Sequence, residues 1–330
     1  MRRLLLTAAT ATAAALTLAG CGTTEPAADN SSDSSKKPAE AITLTDGAGK
    51  EVKLDGPATK VVATEWNVVE SLITLGIDPV GVADVKGYKT WDTAVPLKND
   101  PKDIGTRGEP SMDTIASLAP DLIVATDDLP PAAVKQLREV APVLEVKSAV
   151  ASDQIGQMFT NLDLIAKATG TTDKAEKARE GFEAKVAEGR KALADAGLAG
   201  AQYAFADGYV VSNQVSIRPY TSGSLIGAVN EELGLKNSWT VEGDAAYGLA
   251  STDVEGLTDL PKDVRFAYIG NDGDKNSNPF TGALAENSVW KNLPFVKAGE
   301  VHRLPDGVWM FGGPESMEAY VDAAVDALTK

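Results

Sequence analysis

The chain has 330 residues, room for about two ordinary domains or one large two-lobed unit. Hydrophobic residues make up 43% and charged residues 24%, a balance that excludes wholesale disorder, collagen-like repeats and a long coiled coil. The 31 Lys and Arg stand against 47 Asp and Glu; a net charge of −16 argues against a nucleic-acid partner, and one Cys with one His excludes a disulfide framework and a Cys- or His-rich zinc site.

Met1-Arg2-Arg3 is a short basic segment, and Leu4 to Leu18 is an apolar run that ends at Leu18-Ala19-Gly20-Cys21. The run is too short for a membrane span and is followed by small residues, so 1–20 reads as a signal peptide. The Leu-Ala-Gly-Cys string resembles the bacterial lipobox, which implies cleavage before Cys21 and a diacylglycerol on its sulfur. Residues 21–40 then form the lipidated cysteine and its linker. Gly22 to Glu40 carries no aromatic or large aliphatic residue and reads as a flexible tether. The mature protein is expected outside the cell membrane and lipid-anchored to it, with a net charge of −18 once Arg2 and Arg3 are removed. The Arg pair leaves the general and twin-arginine secretion routes both open, with the general route preferred.

Ile42–Leu44 and Val52–Leu54 around Gly47-Ala48-Gly49 predict a hairpin. Short β-branched runs follow at Lys60–Ala63, Val80–Ala83, Asp121–Ala125 and Val143–Val146. The second half adds runs at Tyr203–Ala206, Val210–Ser212, Arg265–Ile269 and Val301–Leu304. Helical patterns fall between them at Asn67–Leu75, Ser111–Leu118, Pro131–Val140, Ser224–Leu233 and Glu315–Leu328. Continuous apolar strands separated by helices indicate parallel sheets covered on both faces. Between the halves, Asp173–Ala196 contains no Pro and places Ala175, Ala178, Phe182, Val186, Gly189 and Leu193 on one face. It reads as one helix on the order of 35 Å long, with Asp173 and Glu176 as a capping box and Glu176 spaced to pair with Arg179. Ser111–Leu118 and Ser251–Leu260 form a weak internal repeat, each an acid-bearing helix leading into a strand. The expected architecture is α/β: two Rossmann-like lobes, 41–168 and 198–330, joined by a helix within 169–197, with a ligand cleft beyond the carboxyl ends of the strands.

Catalytic motifs are scarce. The chain has no Gly-x-Ser-x-Gly elbow, no P-loop and no Gly-x-Gly-x-x-Gly after a strand. His302 alternates as an ordinary strand residue, and Asn271–Asn276 lacks the Glu that a calcium loop requires. Aromatic residues and Arg stand instead beside strand ends: Trp66, Tyr88, Trp91, Arg107, Arg218, Tyr220, Tyr247, Trp309 and Phe311. These suit a cleft that grips a bulky, partly apolar ligand.

Four segments resemble the substrate-binding lipoproteins of ABC transporters for ferric siderophores, the class III type in which a rigid helix joins two lobes. They are Val61–Ile77; Gly81-Val82-Ala83-Asp84; Asp103-Ile104-Gly105-Thr106-Arg107 with Glu109-Pro110, continuing to Leu122; and Val289–Gly299. Glu65-Trp66 and Gly105–Pro110 are most similar to the hydroxamate branch, whose ligands are ferrichrome- and ferrioxamine-type chelates. The resemblance implies that Arg107 hydrogen-bonds the hydroxamate oxygens and that Trp309 and Phe311 line the far side. Phe311 stands where a relative can carry Tyr, and Ala125-Thr126-Asp127-Asp128 stands where the branch has a tyrosine. Arg218 or Tyr220 is the candidate replacement, a reading of the residues and not part of the match. The resemblance also implies that Asp113 and Glu255, one acid per lobe, dock on an ABC permease. The iron would be held by the siderophore, so no cofactor, no protein metal ligand and no enzymatic step are expected, and the protein is expected to act as a monomer. The acidic composition favours a cationic ferrioxamine-like chelate. The alternatives are a haem or cobalamin carrier of the same fold, a secreted α/β hydrolase or deacetylase, and an adhesion or sensor lipoprotein.

Overall fold

The computed structural model describes residues 40–212 and 214–330. The signal peptide, Cys21 and the tether lie outside the described residues. The chain opens with an antiparallel hairpin, β1 (Ile42–Thr45) and β2 (Glu51–Leu54). The first lobe follows as β3 (Val61–Ala63), α1 (Trp66–Thr74), β4 (Gly81–Val82), α2 (Val85–Trp91), β5 (Lys102–Asp103), α3 (Met112–Leu118), β6 (Leu122–Thr126), α4 (Pro131–Val140) and β7 (Val143–Val146). Its sheet has the order β5-β4-β3-β6-β7, every pair parallel. The first strand in sequence therefore lies in the middle, and the winding reverses between β3 and β6. That reversal opens a crevice at the carboxyl ends of these two strands. Val61, Val62, Ala63 and Leu122 to Ala125 have no solvent exposure, which is why their runs are continuously apolar.

Two helices connect the halves: α5 (Gln154–Thr169) and α6 (Thr172–Asp195). The second lobe holds β8 (Gln202–Val211), β9 (Gln214–Pro219), α7 (Leu225–Glu232), β10 (Lys236–Asn237), β11 (Arg265–Tyr268), α8 (Ser288–Asn292), α9 (Pro294–Ala298), β12 (Val301–Arg303) and α10 (Pro314–Thr329). Its sheet runs β10-β8-β11-β12 in parallel, with β9 antiparallel on β8. An aromatic core fills this lobe: Phe266 packs on Trp290 at 5.8 Å and Phe295 at 5.5 Å between ring centroids. Both partners come from the Val289–Gly299 segment. Among the described residues no helix is long and apolar enough to cross a membrane.

The long helix α6 forms within one residue of its expected start and end, and Ala175, Phe182, Val186, Gly189 and Leu193 are its buried residues. It packs along α10 and touches α1 of the first lobe and α7 of the second. Gly189 permits this approach: a Cβ there would lie 2.6 Å from Val321 Cγ1 and 2.8 Å from Leu233 Cδ2. Several local expectations are corrected. Asp173 does not cap α6; Thr171 precedes the helix without a side-chain cap, and Asp173 lies in its first turn. Arg179 pairs with Asp163 of α5 at 3.0 Å and stacks over Phe159 at 4.0 Å instead of meeting Glu176. The second copy of the repeat is only a 3-10 turn, Gly256–Asp259. Tyr203–Ala206 and Val210–Ser212 fuse into the single strand β8, because β9 pairs along it from Ala206↔Pro219 to Val211↔Gln214.

A second tie joins the lobes. Glu70 on α1 is fully buried and caps the N-terminus of α10 from across the molecule. Its Oε1 accepts from the Ser316 amide at 2.9 Å and its Oε2 from Ser316 Oγ at 2.8 Å. The helix has no side-chain cap of its own, so this carboxyl satisfies a donor that would otherwise be orphaned.

Candidate functional site

The cleft between the lobes holds a cavity of about 500 Å³, within the roughly 300–1,000 Å³ range of small-molecule sites. Its walls come from strand ends on both sides. Glu65, Trp66 and Asn67 follow β3, Asp128 follows β6 and Arg107 follows β5. Asp207 and Arg218 face each other on β8 and β9, Ile269 and Gly270 follow β11, and Trp309 to Phe311 follow β12.

Arg107 is presented by a tight turn. Gly105 has φ +100°, a region that favours glycine, and a Cβ there would meet Glu109 O at 3.0 Å. The turn is closed by the Gly105↔Pro110 bridge and by Ser111 N donating to Ile104 O at 2.7 Å. Arg107 NH1 donates to Glu65 Oε1 at 2.8 Å, and the same oxygen accepts from the Trp66 amide at 2.8 Å, so Glu65 also caps α1. The guanidinium lies 4.0 Å over the Trp66 ring and 5.4 Å from Trp309. Each such stacking is worth about 0.5–2 kcal/mol, depending on desolvation.

The second lobe repeats the device. Arg218 makes a bidentate pair with Asp207, Nε donating to Oδ1 at 2.9 Å and NH2 to Oδ2, and it lies 5.5 Å from the Phe311 ring. Burial works against this cation, but Tyr220 and Asp207 more than offset it and hold its pKa above the ordinary arginine value. Trp66, Trp309, Phe311 and Tyr247 form a continuous aromatic run, with centroid separations of 4.7, 5.1 and 5.5 Å. The Tyr247 hydroxyl donates across the cleft to Asp128. Burial and then the hydrogen bond to this carboxylate push the phenol pKa up, so it remains a donor. The Tyr247 loop is held by Asp244, which accepts from the Ala246, Tyr247 and Leu249 amides.

The cavity thus brings together seven of the expected residues: Trp66, Trp91, Arg107, Arg218, Tyr247, Trp309 and Phe311. Two do not line it. Tyr88 is fully buried under the Trp66 ring, with its hydroxyl donating to Val95 O. Tyr220 is buried behind Arg218 and hydrogen-bonds Asp207 at 3.2 Å. Tyr88 turns inward because its hydroxyl finds a partner there, whereas Tyr220 supports the Asp207–Arg218 pair from behind the cavity wall. The sequence reading lacks the paired carboxylates Glu65 and Asp207 and the cross-cleft acceptor Asp128. Asp207 carries no local signal; its role follows from the Asp207↔Arg218 register. His302 lies outside the cavity, 3.2 Å from Glu300. Asp113 and Glu255 are both exposed, one on each lobe. Among the described residues no group of three or more His, Cys, Asp or Glu is arranged to hold a metal ion.

A family model for the periplasmic binding protein matches residues 61–307. The chain belongs to the periplasmic binding protein family. Among curated relatives, the iron(3+)-hydroxamate-binding protein FhuD of Bacillus subtilis is 31% identical over 324 residues, covering 95% of this chain and 94% of its own. The Fe(3+)-citrate-binding protein YfmC of the same organism is 29% identical over 320 residues, covering 96% and 93%. Among solved structures, the siderophore binding protein FhuD of Vibrio cholerae bound to Fe3+-Desferal superposes with a TM-score of 0.73. It is 24% identical and covers 82% of this chain and 98% of that one, a likeness that speaks for the two-lobed fold.

Proposed function

We propose that this family member binds a ferric hydroxamate siderophore, ferrioxamine-like in type, in the interlobe cleft and delivers it to an ABC importer. The observation that carries this reading is the pair of guanidiniums, one per lobe, each stacked on aromatic rings and each lining the same cavity. A trihydroxamate already fills the iron's coordination shell. The pocket then needs shape, aromatic surface and donors to oxygen rather than metal ligands, and these are the groups present. The relatives named for hydroxamate chelates support the choice. Arg107 and Arg218 donate to the chelate oxygens, while Trp66, Trp91, Tyr247, Trp309 and Phe311 enclose its apolar arms. Asp113 and Glu255 contact the permease, and Cys21 carries the lipid that keeps the monomeric receptor at the membrane.

A second reading is a ferric carboxylate cargo, favoured by the relative named for Fe(3+)-citrate. Competition between ferric trihydroxamate and ferric citrate for the purified protein separates the two. Saturable binding of the hydroxamate that citrate does not displace supports the first; displacement at equal concentration supports the second.

A further inference from the structure

The two cleft arginines are neutralised before any ligand arrives. Arg107 is paired with Glu65, and Arg218 is held by both oxygens of Asp207. Asp128 adds a third carboxylate to the lining, bound to Tyr247. Two cations therefore stand against three carboxylates, a formal charge of −1 in the cavity wall. Donors nonetheless remain. Of the five N–H groups of a guanidinium, Arg107 uses NH1 on Glu65, and Arg218 uses Nε and NH2 on Asp207 and Tyr220. The remaining N–H groups are available to chelate oxygens without a net positive field behind them.

We propose that Glu65, Asp207 and Asp128 make the cleft a charge filter, which accepts neutral or cationic ferric chelates and turns away polyanionic ones. This rests on the hydroxamate reading and goes beyond it. The arginines confer hydrogen-bonding geometry, and the carboxylates set which charge class enters. A hydroxamate complex of Fe3+ has a neutral core, because three −1 groups balance the metal. Tricatecholate and citrate complexes carry excess negative charge, which this wall repels in a partly water-excluded space. A terminal ammonium on a linear hydroxamate is favoured by the same field.

The test uses three ferric trihydroxamates with one linear chelating core, differing only at the terminal amine: free ammonium, acetylated, and succinylated. Their affinities for the wild-type protein are measured at low and high salt. The expected order is ammonium, then acetylated, then succinylated, with roughly tenfold between the ends at low salt and a smaller ratio at high salt. Asp207→Asn and Glu65→Gln each free one arginine and shift the ratio toward the succinylated ligand. Asp128→Asn, at an exposed position, does the same without touching an arginine pair. Equal affinity for all three ligands, or a ratio that none of the variants moves, overturns the charge filter and leaves the hydroxamate reading standing. Failure of all three to bind overturns both.

Discussion

Glu70→Ala removes a carboxylate that bridges α1 and α10 across 246 residues of chain. Two donors of Ser316, its amide and its hydroxyl, then lose their acceptor inside the protein. An unsatisfied buried donor costs about 1–3 kcal/mol, so the simple sum is about 2–6 kcal/mol. One effect opposes it. Asp92 is buried beside Glu70, and its Oδ2 has no partner among the described residues. Burial first and then the charge of Glu70 push the Asp92 pKa up to about 9. Glu70 is itself raised, chiefly by burial. A proton on Asp92 facing Glu70 resolves both the orphaned oxygen and the repulsion. Deleting Glu70 removes the cost of burying its own carboxyl, which offsets part of that sum, and the expected net loss narrows to about 2–4 kcal/mol. Glu70→Gln keeps one acceptor for the Ser316 amide and loses less than half as much. Urea unfolding at pH 7 followed by circular dichroism measures both. An alanine variant within about 0.5 kcal/mol of wild type, the range of an ordinary surface change, refutes the idea that this carboxyl ties the lobes.

Other predictions concern the same molecule. Asp92 has a folded pKa above its unfolded value near 3.8, so folding takes up a proton. The stability this contributes is complete below about pH 4 and is lost as pH rises toward 9. Asp92→Asn therefore flattens the fall of Tm between pH 6 and 9, and parallel wild-type and variant curves would count against it. Arg107→Ala weakens chelate binding about 10- to 100-fold, the loss of a charged hydrogen bond and a stacked guanidinium, while urea stability changes by less than about 1 kcal/mol because the Glu65 pair is partly exposed. Arg107→Lys recovers only part of the affinity, since an ammonium neither forks nor stacks in the same way. Gly189→Val drives a side chain into Val321 and Leu233 and lowers stability by about 1–3 kcal/mol; an unchanged midpoint would mean that α6 and α10 are less tightly apposed than they are here. Replacing Asp113 and Glu255 together by Ala abolishes iron uptake in cells while leaving chelate affinity intact, and unchanged uptake would remove them from the docking surface.

The parallel sheets were legible because their strands are buried on both faces and read as unbroken apolar runs, as in Val61–Ala63 and Leu122–Ala125. The long helix was legible from the spacing of Phe182, Val186, Gly189 and Leu193. What depended on pairing register was not. Asp207-Gly208 interrupts an apolar run and resembles a turn, yet β9 draws it into a ten-residue strand and sets Asp207 opposite Arg218. Aromatic identity located the cleft but did not give side-chain direction. Tyr88 and Tyr220 follow the same pattern as Trp66 and Phe311 and turn inward. Glu70 sits among Val68, Val69, Leu72 and Ile73 on a buried helix, and the Ser316 groups it satisfies lie 246 residues away, where no local pattern reveals them.

The most direct test of the account is a tryptophan-fluorescence titration of the purified protein. Trp66, Trp91 and Trp309 line the cavity, whereas Trp239 and Trp290 pack elsewhere around Phe266. A ferric trihydroxamate is added first, with its iron-free form as control, and ferric citrate, a ferric catecholate, haem and cobalamin are added in parallel. The account predicts saturable one-to-one quenching by the ferric hydroxamate, weakened by Arg107→Ala and absent with the iron-free control. Quenching by haem, cobalamin or an anionic ferric chelate alone, with none from the hydroxamate, would contradict it.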